Sequence, residues 1–346
     1  MGKMAFNRRE FISAAMAATI LPSVRRNIKL VQSEAQAGVM RKATDRFQVG
    51  INLAGLEFNG TRYPVPTGEE LIYYKTKGIN TFRLPFSWER IQPMLNDPLD
   101  PHYLGLIQKI VAQAALNSQT ILLDVHNYAR YNGAVIGTGS VTIKAFSNLW
   151  LRIATIFRGN QAIYGYDLMN EPHNMPTSST WPSAAQSAVD IIRSVDPTTT
   201  IFIEGDGWAG AHRWRYFNEN LDIKDTSNRM VYSAHNYADV MAGGSYKLPY
   251  SQDGATPMTL VDRYNIFYGW LKEKEFRGHI GECGVPQDPQ WLTCLDNLVA
   301  VLKTTGTPFH YWAGGPGWRP EPSNTAIEPM NGRDEPQMAI LERYIR

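Results

Sequence analysis

Tyr164-Gly165-Tyr166-Asp167-Leu168-Met169-Asn170-Glu171-Pro172 is a short apolar run that closes on an amide, a carboxylate and a proline. Pro172 has no N–H and cannot continue a sheet ladder, so the run reads as a buried strand passing into a loop. Asn170 and Glu171 then stand at the C-terminal end of a strand, where alternating strand/helix proteins carry their chemistry. A polar turn after a buried strand would account for the same residues. A second run, Gly278-His279-Ile280-Gly281-Glu282, tips the reading, because it too is an apolar strand that ends on a carboxylate, Glu282.

Working outward from these two runs, apolar strand-like stretches recur at 47–53, 80–84, 120–125, 164–169, 200–203, 230–234, 279–281 and 308–312. Segments of helical period separate them, at 101–117, 141–157, 181–194, 257–274 and 289–303, with a weaker one at 209–217 and a closing one at 335–344. Eight strands alternating with helices match the α/β class and the single (β/α)8 barrel. The length of 346 residues suits one such barrel, and no Ser/Gly/Pro linker divides the chain after its N-terminal segment. A doubly wound dinucleotide fold is disfavoured, since Gly50-Ile51-Asn52-Leu53-Ala54-Gly55 is not G-x-G-x-x-G. Neither a P-loop nor H-E-x-x-H is present.

Residues 1–37 read as an export leader. Paired arginines in Asn7-Arg8-Arg9-Glu10-Phe11-Ile12 stand directly before an apolar stretch, as in a twin-arginine signal, and Ala35-Gln36-Ala37 offers a small-residue cleavage site. The stretch is shorter than the roughly 20 residues of a permanent span, so the mature form is expected to carry no membrane anchor. An amphipathic first helix is the alternative. Export to the periplasm or the medium is expected, leaving residues 38–346 as the working domain and, in expectation, a monomer. The leader holds six of the 34 basic and two of the 32 acidic residues, so the body carries 28 basic against 30 acidic. That balance offers no basic stripe for a phosphate backbone and excludes nucleic acid as the expected partner. Two cysteines, Cys283 and Cys294, make neither a disulfide scaffold nor a thiolate zinc site.

In a barrel the C-terminal strand ends converge on one pocket. There the sequence places Arg83 on the second strand, His126 and Asn127 on the third, and Asn170 and Glu171 on the fourth. It places His235 and Tyr237 on the sixth, Glu282 on the seventh and Trp312 on the eighth. Each has a plain structural explanation, but a whole set of polar residues at inward positions that are ordinarily branched and apolar does not. This ordered set resembles glycoside hydrolase family 5, the cellulase family of retaining β-glycanases, over the chain from about Phe47.

The resemblance implies metal-free, cofactor-free cleavage of a β-linked polysaccharide or oligosaccharide. Retention needs two carboxyls about 5–5.5 Å apart, and it assigns the acid/base to Glu171 and the nucleophile to Glu282. Arg83 and a Tyr237 hydrogen bond are expected to favour ionised Glu282. Glu171, with no cation of its own in the set, is expected to stay protonated beside that charge. Asn170 would bond the sugar hydroxyl next to the reacting carbon, His126 and His235 would bind substrate and orient the carboxyls, and Trp312 would form a sugar platform. Trp88, Tyr128, Trp208 and Trp318 follow strand ends as possible subsite aromatics, and Glu57 and Glu204 are spare carboxylates, structural or substrate-contacting. The run Asp124-Val125-His126-Asn127-Tyr128-Ala129-Arg130-Tyr131 resembles cellulase-type members and suggests endo-β-1,4-glucanase action. The alternatives are the same chemistry on mannan, β-1,3- or β-1,6-glucan or a bacterial exopolysaccharide, a metal-dependent barrel hydrolase using His126, His235 and a carboxylate, or an inactive glycan-binding barrel.

Overall fold

The structure, a computed structural model, describes residues 47–58, 63–321 and 324–345. The expected leader lies outside the described residues. Eight parallel strands, β1 (Val49–Leu53), β2 (Thr81–Phe86), β3 (Thr120–Val125), β4 (Ile163–Asp167), β5 (Thr200–Glu204), β6 (Met230–His235), β7 (Gly278–Cys283) and β8 (Phe309–Gly314), form a closed barrel. Each pairs with the next in chain order, and β8 returns to β1 with Val49 opposite Phe309. This is the (β/α)8 barrel expected from the alternation.

The described helices are α1 (Gly68–Thr76), α2 (Trp88–Ile91), α3 (Pro101–Leu116), α4 (Ile143–Phe157), α5 (Thr180–Arg193), α6 (Trp214–Asn218), α7 (Tyr250–Asp253), α8 (Thr259–Lys274), α9 (Pro289–Thr305) and α10 (Pro336–Ile345). The long ones begin where local chemistry directs. Asp100 and Asp288 cap the first turns of α3 and α9 ahead of a proline, and the Thr142 hydroxyl accepts the Ala145 N–H at the start of α4. Helix α1 was not among the expected segments, since it buries only Leu71 and Tyr74 and has little apolar period. Its signal is the capping box Thr67-x-x-Glu70, in which each side chain satisfies the other's backbone N–H. Helix α9 stops at Gly306, whose φ of 73° suits a residue without a Cβ.

The helices also fasten the strand ends. Trp150 of α4 donates its indole N–H to Leu168 O at 3.0 Å, and Trp181 of α5 donates to Glu204 O at 2.7 Å. The segment that carries Asn170 and Glu171 and the end of β5 are thereby tied to the outer layer.

The barrel interior departs from the branched apolar filling expected of inward positions. Its lower layer is polar and aromatic: His279 Nε2 meets His310 Nδ1 at 2.8 Å, His279 Nδ1 meets Ser233 Oγ at 3.0 Å, and Phe202 packs edge-on to His279. Gly50 makes the room, because a Cβ there would stand 2.3 Å from the His310 ring. Burial holds both imidazoles down, His310 to about 3 and His279 well below the ordinary range, so both are neutral and bond as donor and acceptor in series.

Candidate active site

Above that layer sits Arg83, fully buried on β2, with all three guanidinium nitrogens used. Nε donates to Asp167 at 2.7 Å, Nη1 to Asn52 Oδ1 at 3.0 Å and to Glu282 at 2.9 Å. Nη2 donates to Asn170 Oδ1 at 2.9 Å and Glu204 at 2.8 Å, and lies 3.0 Å from Asp124. Burying one cation is costly unless it is paired and hydrogen-bonded, and here four carboxylates surround it. The rigid guanidinium fork thereby fixes Glu282 and the Asn170 amide in one plane of contacts.

Glu282, inside β7, receives the Tyr237 hydroxyl at 2.7 Å on the oxygen not used by Arg83. Glu171 follows β4 by four residues and adopts a left-handed backbone with φ of 46°, rare for a long side chain. Its N–H donates to Glu204 Oε2 at 2.7 Å, and its carboxyl meets His235 Nδ1 at 2.7 Å. One oxygen of Glu171, one of Glu282 and a ring nitrogen of His235 lie within 4.8 Å of each other. The two carboxyls open together into a cleft of about 490 Å³ at the barrel mouth.

The two carboxyls have different neighbours. Burial pushes Glu171 up to about 7; the bond and charge of His235 oppose this, and Glu282 and Glu204 add to it. The expectation that Glu171 has no cation beside it is corrected here. His235 is that cation: burial works against its charge, but Glu204, Glu282 and its bonds to Glu171 and Glu204 outweigh this and hold the ring charged. Burial of the carboxyl, more than repulsion from Glu282, keeps the Glu171 proton. Glu204 is held at about 2, because His235 and Arg83 override the effect of its burial.

A family model described as Cellulase (glycosyl hydrolase family 5) matches residues 44–317. The chain belongs to glycosyl hydrolase family 5. Among solved structures, it is similar to Pseudomonas stutzeri endoglucanase Cel5A in complex with cellobiose, at 40% identity over 86% of this chain and 92% of that one, TM-score 0.81. XacCel5A in complex with cellopentaose is 34% identical over 87% of this chain and 99% of that one, TM-score 0.82. Endo-beta-1,4-glucanase B of Emericella nidulans is 29% identical over 86% of this chain and 90% of its own length. The manganese dependent endoglucanase Eg5A of Phanerodontia chrysosporium is 30% identical over 77% and 72%.

As a family 5 glycoside hydrolase the chain can be read residue by residue. Of the expected set, the cleft is lined by His126, Asn127, Asn170, Glu171, Tyr237, Glu282 and Trp312, with Arg83 and His235 bonded directly beneath them. His126 Nδ1 donates to the Asp124 carboxylate at 2.7 Å, and the ring stacks on Trp312 with centroids 5.4 Å apart. Burial lowers it to about 3, so it stands as a neutral ring. Asn170 Nδ2 has no partner among the described residues, since Arg83 takes the amide oxygen. Tyr128 and Trp318 line the cleft, and Trp318 stacks on Phe58 and stands edge-on to Trp312.

Three expectations change. Trp88 is fully buried, packed on Tyr131 and Phe146 with its N–H on Gln92, and belongs to the core rather than to a subsite. Trp208 is 47% exposed and stacked on His173 at 3.4 Å, but it is not among the residues lining the cleft. Asn127 reaches the cleft, yet both ends of its amide are engaged: Oδ1 accepts the Trp88 backbone N–H at 2.6 Å and Nδ2 donates to Glu89 at 2.5 Å. It anchors the loop that follows β3. Cys283 and Cys294 are both buried free thiols.

Asn52, Asp124 and Asp167 were missed as site residues, although an isolated polar side chain in an apolar strand, an amide in β1 and an acid in β3 and β4, was the available signal. Glu57, a spare carboxylate in the sequence, lines the cleft with Oε2 accepting the Gly55 N–H at 2.6 Å, and burial raises it to about 8. Glu171, His235 and Glu282 are close enough to share a cation, but they do not fit one. Both His235 nitrogens are already taken up by carboxylates, Nδ1 by Glu171 and Nε2 by Glu204, which leaves no ring nitrogen turned toward a shared ion.

Proposed function

We propose that the chain cleaves internal β-1,4-glucosidic bonds of cellulose-like or mixed-linkage glucans by retaining double displacement. The observation that carries this reading is a pair of carboxyls within 4.8 Å whose environments differ: Glu282 receives Arg83 and Tyr237, while Glu171 is pushed up to about 7. A separation of that order leaves no room for a water between carboxyl and sugar, and so favours a covalent intermediate over inversion.

In the first step a Glu282 oxygen attacks the anomeric carbon. The bond to the leaving oxygen breaks as Glu171 passes its proton to that oxygen, giving a glycosyl ester on Glu282. In the second, ionised Glu171 takes a proton from water as that water attacks the same carbon, which frees Glu282 and restores the proton to Glu171. Asn170 Nδ2, free of protein partners among the described residues, is the donor for the hydroxyl next to the reacting carbon. Trp312, 9% exposed between His126 and Trp318, is the platform for the sugar ring. The bound cellobiose and cellopentaose of the similar structures support a β-1,4-linked substrate. We further propose export through residues 1–37, with residues 38–346 as the monomeric enzyme. Among the described residues no helix is long and apolar enough to cross a membrane.

The test is reducing-sugar release and viscosity loss on carboxymethyl cellulose and mixed-linkage β-glucan, beside galactomannan, laminarin and xylan. Rapid viscosity loss on the first two, abolished by Glu171→Gln and Glu282→Gln, is the expected result. Azide rescue of Glu282→Ala with inverted product would identify the nucleophile. Activity confined to galactomannan or laminarin would overturn the substrate.

A further inference from the structure

We propose that Glu204, at the end of β5, is the positioning residue for the acid/base, gripping Glu171 at two separate points. This rests on the reading of Glu171 as the acid/base. Glu204 Oε2 accepts the Glu171 backbone N–H at 2.7 Å, and Glu204 Oε1 accepts His235 Nε2 at 2.9 Å. The opposite nitrogen of that ring, Nδ1, holds the Glu171 carboxyl at 2.7 Å. Glu204, His235 and Glu171 thus form a closed ring of hydrogen bonds that fixes both the main chain and the side chain of one residue.

The backbone needs such a grip. Glu171 has φ of 46° and Pro172 follows it, so strand-like backbone pairing ends at Asn170, whose N–H reaches Val125 O at 2.9 Å, and the Glu171 N–H is left to a side chain. Charge-assisted bonds from a carboxylate are the strong kind, and Glu204 is itself locked by Arg83 at 2.8 Å and by Trp181 on its carbonyl. Glu204 is fully buried, so it serves Glu171 without touching substrate.

The surroundings of Glu204 also explain why a carboxylate stands there. Every side-chain partner is a donor: Arg83 and His235 on one oxygen, the Glu171 N–H on the other. Glutamine must turn its NH2 against one of these donors, so Glu204→Gln cannot keep both grips. Glu204→Asp keeps the charge for Arg83 and His235 but is one methylene too short to reach the Glu171 N–H as well.

Glycosyl transfer to the enzyme needs an acid only when the leaving group is poor, and kcat/KM reports that step. The experiment compares phenyl β-cellobioside with 2,4-dinitrophenyl β-cellobioside in the wild type, Glu204→Gln, Glu204→Asp and Glu171→Gln, with melting curves for each. General acid catalysis contributes about 10²–10⁴-fold, so Glu204→Gln should lose roughly 100-fold on the phenyl substrate and less than about threefold on the dinitrophenyl one. Glu204→Asp should show the same selectivity at about tenfold, and it carries the test if Glu204→Gln does not fold. Equal losses on both substrates in the Glu204 variants, beside a selective loss in Glu171→Gln, would overturn the positioning role alone. A non-selective loss in Glu171→Gln would overturn the acid/base reading, and this inference with it.

Discussion

Replacing His235 by Asn removes the cation that faces Glu171 at 2.7 Å and should raise the pH at which the enzyme loses its acid. Glu171 titrates near 7 because burial raises it while the bond and charge of His235 hold it back. Without that restraint, burial, Glu282 and Glu204 all push in one direction, upward. Two unit charges about 4 Å apart interact by about 4 kcal/mol at an effective dielectric of 20, which at 1.36 kcal/mol per pH unit sets a ceiling of about three units. The Glu171 side chain is 17% exposed to the cleft, and water entering at the shortened residue 235 screens further, so a rise of one to two units is the working figure. The acid must be protonated to act, so kcat/KM falls as pH rises through its pKa. The assay is the pH profile of kcat/KM on phenyl β-cellobioside, with an alkaline limb near 7 in the wild type and near 8 to 9 in His235→Asn, on a lower plateau. A limb that stays in place or moves down would refute the view that His235 is charged and acts on Glu171.

Tyr237→Phe removes the 2.7 Å bond to Glu282; a hydrogen bond to a charged group contributes about 1.5–3 kcal/mol, so kcat/KM on the dinitrophenyl substrate should fall about 10- to 100-fold. Thermal stability should decline on acidification. His310 is near 3 folded against about 6.5 unfolded, so the unfolded chain binds the extra proton between these values and stability is lost as pH falls through that window, by about 2 kcal/mol at pH 5. His310→Gln should lower Tm at pH 7 yet flatten its change between pH 7 and 5, as followed by circular dichroism. Trp88→Ala should cost about 3–5 kcal/mol of stability, read by urea unfolding, because Trp88 is wholly buried. Trp312→Ala should raise KM on cellopentaose and also lower stability, since the ring is only 9% exposed and packs on His126 and Trp318.

The barrel was legible because the strand runs are distinct and each is separated from the next by enough chain for a helix; the run at 120–125 matches β3 end for end. Where boundaries slipped, tertiary pairing was the cause: β7 extends beyond 279–281 to Gly278–Cys283 because both neighbouring strands pair along it. Trp88 shows the limit of inference from strand ends. The Ser87 cap starts a helical turn after β2, and that turn carries the ring inward onto Phe146. Asn127 shows another, since an amide at a strand end serves the neighbouring loop as readily as a ligand.

Sequence alone determined the order of the eight strands, most of the polar residues at the barrel mouth and the two carboxyls, because those depend on periodicity and on residue type at strand ends. It could not determine the roles of His235 and Glu204. Which acid faces which base is set by contacts between residues 31 to 121 positions apart, closed only when β2, β5 and β6 curve around one axis. The charge on His235 and the retained proton on Glu171 are properties of that buried ring of partners, where low polarizability magnifies each neighbour, and no local stretch of chain contains them.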